Sequence, residues 1–148
     1  PLYAVHDFTG ENIWYEVKTV LQGKDTVSIS SLDQLDTTSS EGKLIVIMLE
    51  ETNAINTEAK SIVRLVESIE ESLDSACLYS FREKLLNVGY NSEAITEDFE
   101  EKFFRVLSCD QYLVDDKFPK ITKMQVDSEI ISARYELSLP ALEMFKIK

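Results

Sequence analysis

Three side chains near the start of the chain have the types and spacing needed for metal-assisted chemistry. Asp7 precedes Glu16 by nine positions, and Lys18 follows Glu16 by two. Residues 13–18 alternate between apolar and polar, which is typical of a strand, so Glu16 and Lys18 leave the same face with Cα atoms roughly 6–7 Å apart. The turn-forming residues 9–12 predict a hairpin that brings Asp7 beside Glu16.

The paired carboxylates indicate a divalent cation, because two carboxylates that close repel each other unless a cation lies between them. Oxygen ligands without a Cys or His partner favour Mg²⁺ or Mn²⁺ over Zn²⁺. Lys18 is a mobile point charge that could orient a water molecule, help it lose a proton and offset charge growing on a phosphate. Taken alone, an acid-x-Lys triplet is also common on solvated strand faces, so the motif leaves both interpretations open.

The elements that must position these residues predict one mixed α/β domain over residues 1–148. The longest apolar run, residues 44–49, is typical of a central strand. The predicted strands cover residues 3–8, 13–20, 26–29, 44–49, 103–107, 112–114 and 129–137. The predicted helices cover about residues 31–35, 59–73, 76–87 and 141–145, the last opened by Pro140. Gly89 stands where a left-handed helix C-cap is usually found.

Composition excludes several classes of protein. The chain has 148 residues, 44% hydrophobic and 28% charged, which is typical of a globular domain and argues against disorder. No apolar run approaches the roughly 18 residues of a membrane span. Cys77 and Cys109 are too few for a disulfide framework, so we expect a cytoplasmic protein. Because Pro1 is not an initiator Met, we expect that an upstream segment has been removed; a complete small domain is the alternative.

The net charge of −12 is unevenly distributed. Residues 1–49 carry −4, residues 50–101 carry −9 and residues 102–148 carry +1. The acidity argues against a protein that grips nucleic acid over a wide surface. The last third nevertheless contains a basic run that could follow a phosphate backbone, or that could simply protect an edge strand. This run consists of Lys117, Lys120 and Lys123.

A resemblance covers nearly the whole chain. It begins with His6-Asp7-Phe8, Ile13-Trp14-Tyr15-Glu16-Val17-Lys18-Thr19 and Ile29-Ser30-Ser31-Leu32-Asp33-Gln34-Leu35-Asp36. It continues through residues 44–49, Leu86-Asn87-Val88-Gly89-Tyr90, Tyr112-Leu113-Val114-Asp115-Asp116-Lys117-Phe118-Pro119 and residues 130–139. In these stretches the sequence resembles the PD-(D/E)XK motif proteins, bacterial and phage proteins related to restriction endonucleases.

The resemblance implies a restriction-endonuclease-like fold, with a mixed central sheet flanked by helices. It implies a restriction- or defence-associated endonuclease that hydrolyses DNA phosphodiester bonds with Mg²⁺, or with Mn²⁺ in its place. By this resemblance Asp7 and Glu16 are the metal-binding acids, and the backbone carbonyl of Val17 adds a metal ligand. Lys18 stands at the catalytic lysine, and Gln34 is a further active-site group. Lys117, Lys120 and Lys123 are the candidate nucleic-acid contacts.

Two features depart from the family pattern. His6 precedes the first acid at the position where the motif's name has Pro. This histidine could be a general base, a hydrogen-bonded neighbour of Asp7 or a phosphate contact. The family's fold usually begins with a helix that often supplies another acid, and no such helix precedes Pro1. We therefore expect a domain that lacks its N-terminal part. Trp14 and Tyr15 could stack on a base, although aromatic residues in a strand are more often core or cross-strand partners.

Two rival interpretations remain open at the level of sequence. The chain could be a non-catalytic, nuclease-fold interaction module within a larger defence complex, as the −9 charge of residues 50–101 and the missing helix suggest. It could also be an acidic domain without nuclease ancestry, in which case the carboxylates and the lysine should point away from one another. A nuclease that cuts both strands with one site per chain would favour a homodimer. No phosphate-binding loop, dinucleotide motif, nucleophile elbow or zinc spacing occurs.

Overall fold

The structure is a computed structural model that describes residues 5–91 and 102–147. Its strands are β1 (Phe8–Thr9), β2 (Trp14–Leu21), β3 (Thr26–Ile29), β4 (Gly42–Thr52), β5 (Phe103–Val114) and β6 (Tyr135–Ser138). Its α-helices are α1 (Ile62–Ser72), α2 (Ser75–Asn87) and α3 (Leu139–Leu142). Single turns of 3-10 helix cover Lys123–Gln125 and Glu143–Phe145. The mixed α/β fold class predicted from the sequence is confirmed.

The main sheet has four strands in the order β1-β2-β4-β5. β1 and β2 form an antiparallel hairpin in which Phe8 pairs with Tyr15 and Thr9 with Trp14. β2 and β4 are parallel, and this pairing requires the crossover connection, residues 22–41, between them. β3 lies within the crossover and forms a separate two-stranded antiparallel sheet with β6.

The chain divides into two compact units, with the boundaries at Leu49 and Leu107. The first unit contains the hairpin, the crossover and the C-terminal segment. Along its strands, buried residues alternate with more exposed ones, as expected where one face of a strand is covered. The buried apolar residues are Val27 and Ile29 in β3, and Leu44 and Val46 in β4. The second unit, residues 50–106, contains α1 and α2.

The start of β2 is fixed by the contact between Trp14 and Gly42. Trp14 is 2% exposed, and its indole Nε1 donates a hydrogen bond to the Ser40 carbonyl at 3.0 Å. Gly42 is the register partner of Trp14 in the parallel β2–β4 pair. A Cβ at position 42 would overlap the indole ring, so only glycine allows the indole to occupy this place.

Several predicted elements are confirmed with small shifts in their bounds. β4 extends the predicted central strand at both ends and lies between two neighbours in the sheet. α1 and α2 begin at side-chain caps, since Ser61 accepts from the Arg64 amide and Asp74 from the Cys77 amide. Gly89 follows α2 with φ of 86°, the left-handed conformation expected at a C-cap. Among the described residues, no helix is both long and apolar enough to cross a membrane.

The predicted short helix over residues 31–35 is wrong, because this segment forms bends and a turn. Ser31 Oγ accepts a hydrogen bond from the Asp33 amide at 3.3 Å, and the Asp36 amide donates to the Asp33 carbonyl at 3.2 Å. Such local bonds compete with helical ones. Leu32 and Leu35 are still buried, so the segment is anchored by its apolar side chains rather than by helix formation.

The predicted strand boundaries are also wrong in three places. Residues 103–107 and 112–114 belong to one continuous strand, β5, in which Ser108 Oγ donates to Asp110 Oδ2 at 3.2 Å. The predicted strand over residues 129–137 is reduced to β6, because its partner β3 has only four residues to pair. The predicted strand over residues 3–8 begins only at Phe8, and its residues 3 and 4 lie outside the described part.

We expect Gly42→Ala to lower the free energy of unfolding by about 2 kcal/mol, because the added methyl group must displace a buried indole from a packed core. Urea denaturation followed by circular dichroism would measure this loss. Gly10→Ala is the matched control, since a Cβ at Gly10 meets Ile13 at ordinary contact distances of 3.5 and 3.6 Å. Equal effects of the two substitutions would contradict the proposed role of Gly42.

Candidate active site at the β1–β2 hairpin

Glu16 is a carboxylate buried in the middle of the structure's first unit. It lies on β2 with an exposed fraction of 2%. Its Oε1 forms an ion pair with Lys18 Nζ at 2.8 Å, whereas its Oε2 is buried without a hydrogen-bond partner among the described residues. Burial raises the pKa of Glu16, although the bond to Lys18 acts in the opposite direction. The site therefore holds a costly charge, which is compensated chiefly by Lys18 and to a smaller extent by the Asp7 backbone.

Lys18 leaves the same face of β2 as Glu16, as the strand period predicts. Its side chain is 17% exposed. Besides the ion pair, Lys18 Nζ donates to Gln34 Oε1 at 3.3 Å. Gln34 Oε1 also accepts from the Ser30 backbone amide at 2.7 Å, which fixes the amide group against the end of β3. Gln34, the further active-site group implied by the resemblance, therefore reaches Lys18, and it does so from a turn instead of the predicted helix.

Asp7 approaches β2 from the residue just before β1. Asp7 Oδ2 accepts a hydrogen bond from the Val17 backbone amide at 2.8 Å, which places the carboxylate beside the strand between Glu16 and Lys18. The negative charge of Asp7 also acts to raise the pKa of Glu16. The hairpin thus brings together the two acids that are nine positions apart. An acidic domain without nuclease ancestry was expected to have the two carboxylates and the lysine pointing away from one another. The observed arrangement differs from that expectation.

His6 holds the segment before Asp7 in place by stacking on Trp14. The two ring centroids are 4.1 Å apart and the ring planes differ by 4°. Burial lowers the pKa of His6, although contact with the Gln34 backbone and the nearby aspartates act to raise it. A neutral imidazole is favoured, and its Nδ1 is buried without a hydrogen-bond partner in the described part of the chain. The stack connects the hairpin's first residues to the anchored start of β2.

The donor atoms at the hairpin are compatible with a hard divalent cation, though they are few. Glu16 Oε2 is a buried carboxylate oxygen that lacks a donor, and the free oxygen of Asp7 and the carbonyl of Val17 are the other oxygens that could join it. Within residues 5–91 and 102–147, no three His, Cys, Asp or Glu side chains are grouped to hold a metal ion. Mg²⁺ often binds through one or two carboxylates and keeps several waters. The residues therefore fit Mg²⁺ better than a metal that needs a closed protein cage.

The three predicted nucleic-acid contacts lie after β5, apart from the residues described above. Lys117 is exposed. Lys120 Nζ donates a short hydrogen bond to the Asp115 carbonyl. Lys123 Nζ pairs with Asp33 Oδ2 at 2.9 Å, which joins the basic run to the turn that carries Gln34. Two of the three ammonium groups therefore already have protein partners.

Sequence reasoning missed one acid near this site, Asp36. Its charge acts on His6, and its pKa is lowered chiefly by the hydrogen bond from the Thr38 hydroxyl. Asp36 Oδ1 also accepts from the Thr38 backbone amide at 2.9 Å. An Asp followed two positions later by a residue whose amide it binds is a common turn pattern, so the Asp36-Thr37-Thr38 sequence was the available signal.

We expect wild type to lose stability relative to Glu16→Gln as the pH rises, when both are measured in EDTA. The folded-state pKa of Glu16 is raised, so its favourable contribution is present below the ordinary value of 4.5 and is lost as the pH rises through the folded-state pKa. Urea denaturation of both proteins from about pH 4 to about pH 7 measures the difference. A difference that moved in the other direction would show that the Lys18 pair outweighs burial.

Comparison with known proteins identifies the family of the chain. A family model described as "Putative PD-(D/E)XK family member, (DUF4420)" matches residues 1–140. No curated protein and no solved structure matches the chain. The match spans the hairpin, the crossover and β6, so it includes every residue of the candidate site. With a mixed sheet, α-helices and a family match over most of its length, the chain belongs to this family of PD-(D/E)XK proteins.

Proposed function

We propose that the protein is a Mg²⁺-dependent endonuclease that hydrolyses DNA phosphodiester bonds at the β1–β2 hairpin. The observation that carries this proposal is Glu16, a buried carboxylate with one oxygen on Lys18 and the other without a partner in the described residues. A structural ion pair does not need a second acid beside it, yet Asp7 is held there by the Val17 amide. The membership in a PD-(D/E)XK family supports the same conclusion.

In this proposal Asp7 and Glu16 bind the cation, with the Val17 carbonyl as a third protein ligand. A bound Mg²⁺ polarises the phosphate and makes water a better nucleophile near neutral pH. Manganese would satisfy the same oxygen ligands. Burial of the Glu16 carboxylate would then cost less, because its negative charge would gain a further partner.

Lys18 acts on the attacking water and on the phosphate. An ammonium group has three donors; two of those on Lys18 are directed to Glu16 Oε1 and Gln34 Oε1, at 2.8 and 3.3 Å. The third donor remains to position a water molecule or to stabilise charge that develops on a phosphate oxygen. Gln34 acts through Lys18. Its Oε1 is fixed by the hydrogen bond from the Ser30 amide, and the same oxygen accepts from the Lys18 ammonium group and so positions it.

DNA is the proposed substrate, and Lys117, Lys120 and Lys123 are the proposed phosphate contacts. Lys117 is exposed and lies on the least acidic third of the chain. The acidity of the rest of the chain confines this binding to a small surface, because phosphates are repelled elsewhere. Cleavage of both strands would require two sites, and a homodimer is the simplest source of the second one. A cytoplasmic restriction or defence system, with further subunits as possible partners, is the proposed setting.

We expect the full chain to cleave plasmid DNA with Mg²⁺ or Mn²⁺ and to be inactive in EDTA. Lys18→Met should lower the cleavage rate by roughly a hundredfold or more, because it removes charge stabilisation at the phosphate. Glu16→Gln should have a similar effect through loss of the cation. Agarose gels of nicked and linear product measure both rates.

Lys24→Met is the matched control for this assay, since Lys24 lies in the turn before β3 and should keep full activity. Circular dichroism would establish that each variant is folded. Equal cleavage by wild type, Lys18→Met and Glu16→Gln would indicate a contaminating nuclease and would contradict the proposed site. Absence of cleavage in every folded variant, wild type included, would contradict the proposed activity of this chain.

We also expect Mn²⁺ to bind to the chain in the absence of DNA, with Glu16→Gln lowering the affinity by tenfold or more because a direct ligand is lost. Electron paramagnetic resonance of free Mn²⁺ measures the bound fraction. Glu11→Gln, an exposed acid in the turn of the same hairpin, is the control and should bind as wild type does. An affinity that is the same in all three proteins would place the ion elsewhere.

One observation favours the second candidate function, a non-catalytic interaction module of a larger defence complex. α2 has no buried residue; Tyr79 within it and Val88 at its C-cap are 70% and 79% exposed. Neighbouring exposed apolar side chains of this kind are typical of a surface that contacts another protein. A folded wild-type chain that neither cuts DNA nor binds Mn²⁺, but that co-purifies with other subunits, would support this alternative.

A further inference from the structure

A cavity of about 260 Å³ lies in the first unit, away from the ligands of the proposed cation. Three loops form it: residues 36–38 after the crossover turn, residues 116–120 after β5, and residues 122–125 at the 3-10 turn. Its lining includes Asp36, Thr38, Asp116, Phe118, Lys120 and Gln125. The cavity is slightly smaller than the roughly 300–1,000 Å³ that drug-sized ligands occupy, so it has room for one small planar group.

The hydrogen-bond acceptors in the cavity lining are carboxylates that can accept further hydrogen bonds. Asp116 Oδ1 receives only a long hydrogen bond, 3.5 Å, from the Thr37 hydroxyl. Asp116 Oδ2 has no hydrogen-bond partner within the described residues. Asp36, by contrast, uses its Oδ1 for both the amide and the hydroxyl of Thr38. Asp116 therefore has more acceptor capacity left for a ligand than Asp36 does, within the described residues.

The donors of the cavity are Lys120 and Gln125. Lys120 Nζ uses one of its three protons on the Asp115 carbonyl. Gln125 Oε1 accepts from the Thr122 amide at 2.8 Å, which leaves the amide nitrogen of Gln125 as a donor. With two carboxylates in its lining, the cavity favours a ligand group that has its own N–H donors.

The apolar part of the lining suits a flat ring. Phe118 is only 2% exposed and its ring packs edge-to-face on Phe145 at 5.4 Å, so its position is fixed. Met124 is 85% exposed and is free to adapt to a ligand. Because Phe118 is buried, Met124 is the apolar side chain of the lining that can pack on the face of a bound base.

We propose that this cavity binds a guanine base. The N1–H and N2–H donors of guanine can both bond to the Asp116 carboxylate, and its O6 acceptor can receive a hydrogen bond from Lys120 or Gln125. Adenine reverses this pattern, because its N1 is an acceptor that a carboxylate repels. The base must be unpaired to present this edge, so the ligand is a guanine in single-stranded or locally opened DNA.

The cavity is connected to the candidate active site through the crossover turn. Asp36 follows Gln34 by two positions, and its charge acts on His6, the neighbour of Asp7. The Lys123–Asp33 pair at 2.9 Å ties the 3-10 turn of the cavity to the same segment. In the nuclease proposal, a guanine bound here would belong to the DNA molecule whose phosphate is cut. This connection rests on the proposed nuclease function, whereas binding of the base does not.

The test is a titration of the ¹⁵N-labelled full chain with GMP, IMP and AMP in EDTA, followed by NMR. The three ligands share a phosphate and differ in the base edge. We expect GMP to bind at least tenfold more tightly than AMP, with IMP between them because it lacks the 2-amino group. Asp116→Asn should weaken GMP binding at least tenfold and leave AMP unchanged.

Asp127→Asn is the matched control, since Asp127 lies just after the 3-10 turn but does not line the cavity. GMP binding that is unaffected by Asp116→Asn, or equal affinities for the three nucleotides, would overturn the inference. Absence of GMP binding together with plasmid cleavage would overturn the guanine cavity alone. GMP binding without any cleavage would overturn the nuclease proposal and leave the cavity assigned.

Discussion

The structure of the candidate site depends on one buried charge. Glu16 has almost no contact with solvent, and a carboxylate in such a place must be compensated. Lys18 supplies the compensation, Gln34 fixes Lys18, and the Ser30 amide fixes Gln34. Glu16, a single position on β2, therefore constrains the part of the crossover that contains Ser30 and Gln34. The free oxygen of Glu16 is the part of this charge that the described protein leaves uncompensated, and a cation there would complete the same series of contacts.

Trp14 plays the corresponding role for the backbone. Its indole fills the space that Gly42 leaves, bonds to the Ser40 carbonyl and carries the His6 ring on its face. These contacts bring together the hairpin, β2 and the start of β4. Asp7 thus gains a fixed position although β1 itself contains only Phe8–Thr9. A short edge strand would not hold the Asp7 carboxylate in place unaided, and the stacked rings explain how it can do so here.

The sequence predicted the parts of the site that depend on local periodicity. The alternation around Glu16 and Lys18 placed both on one face, and the turn residues of the hairpin placed Asp7 beside them. It did not predict the conformation around Gln34, because serine and aspartate side chains there bond to nearby backbone amides and displace the helix. Nor could it predict that β6 would begin only at Tyr135, since that limit comes from the length of its distant partner. Asp36 was missed because its role depends on loops that meet only in the folded chain.

The pairing of β3 with β6 has a consequence for the order of folding. Its partners, such as Ile29 and Tyr135, are separated by most of the chain, whereas the β1–β2 hairpin closes over a few residues. Loop-closure entropy makes such distant pairing slow. On the ribosome the hairpin can form early, but Val27 and Ile29 lack their strand partner until the C-terminal segment has been synthesised. The apolar residues of β3 are thus the surface of this protein most in need of protection while the chain is incomplete.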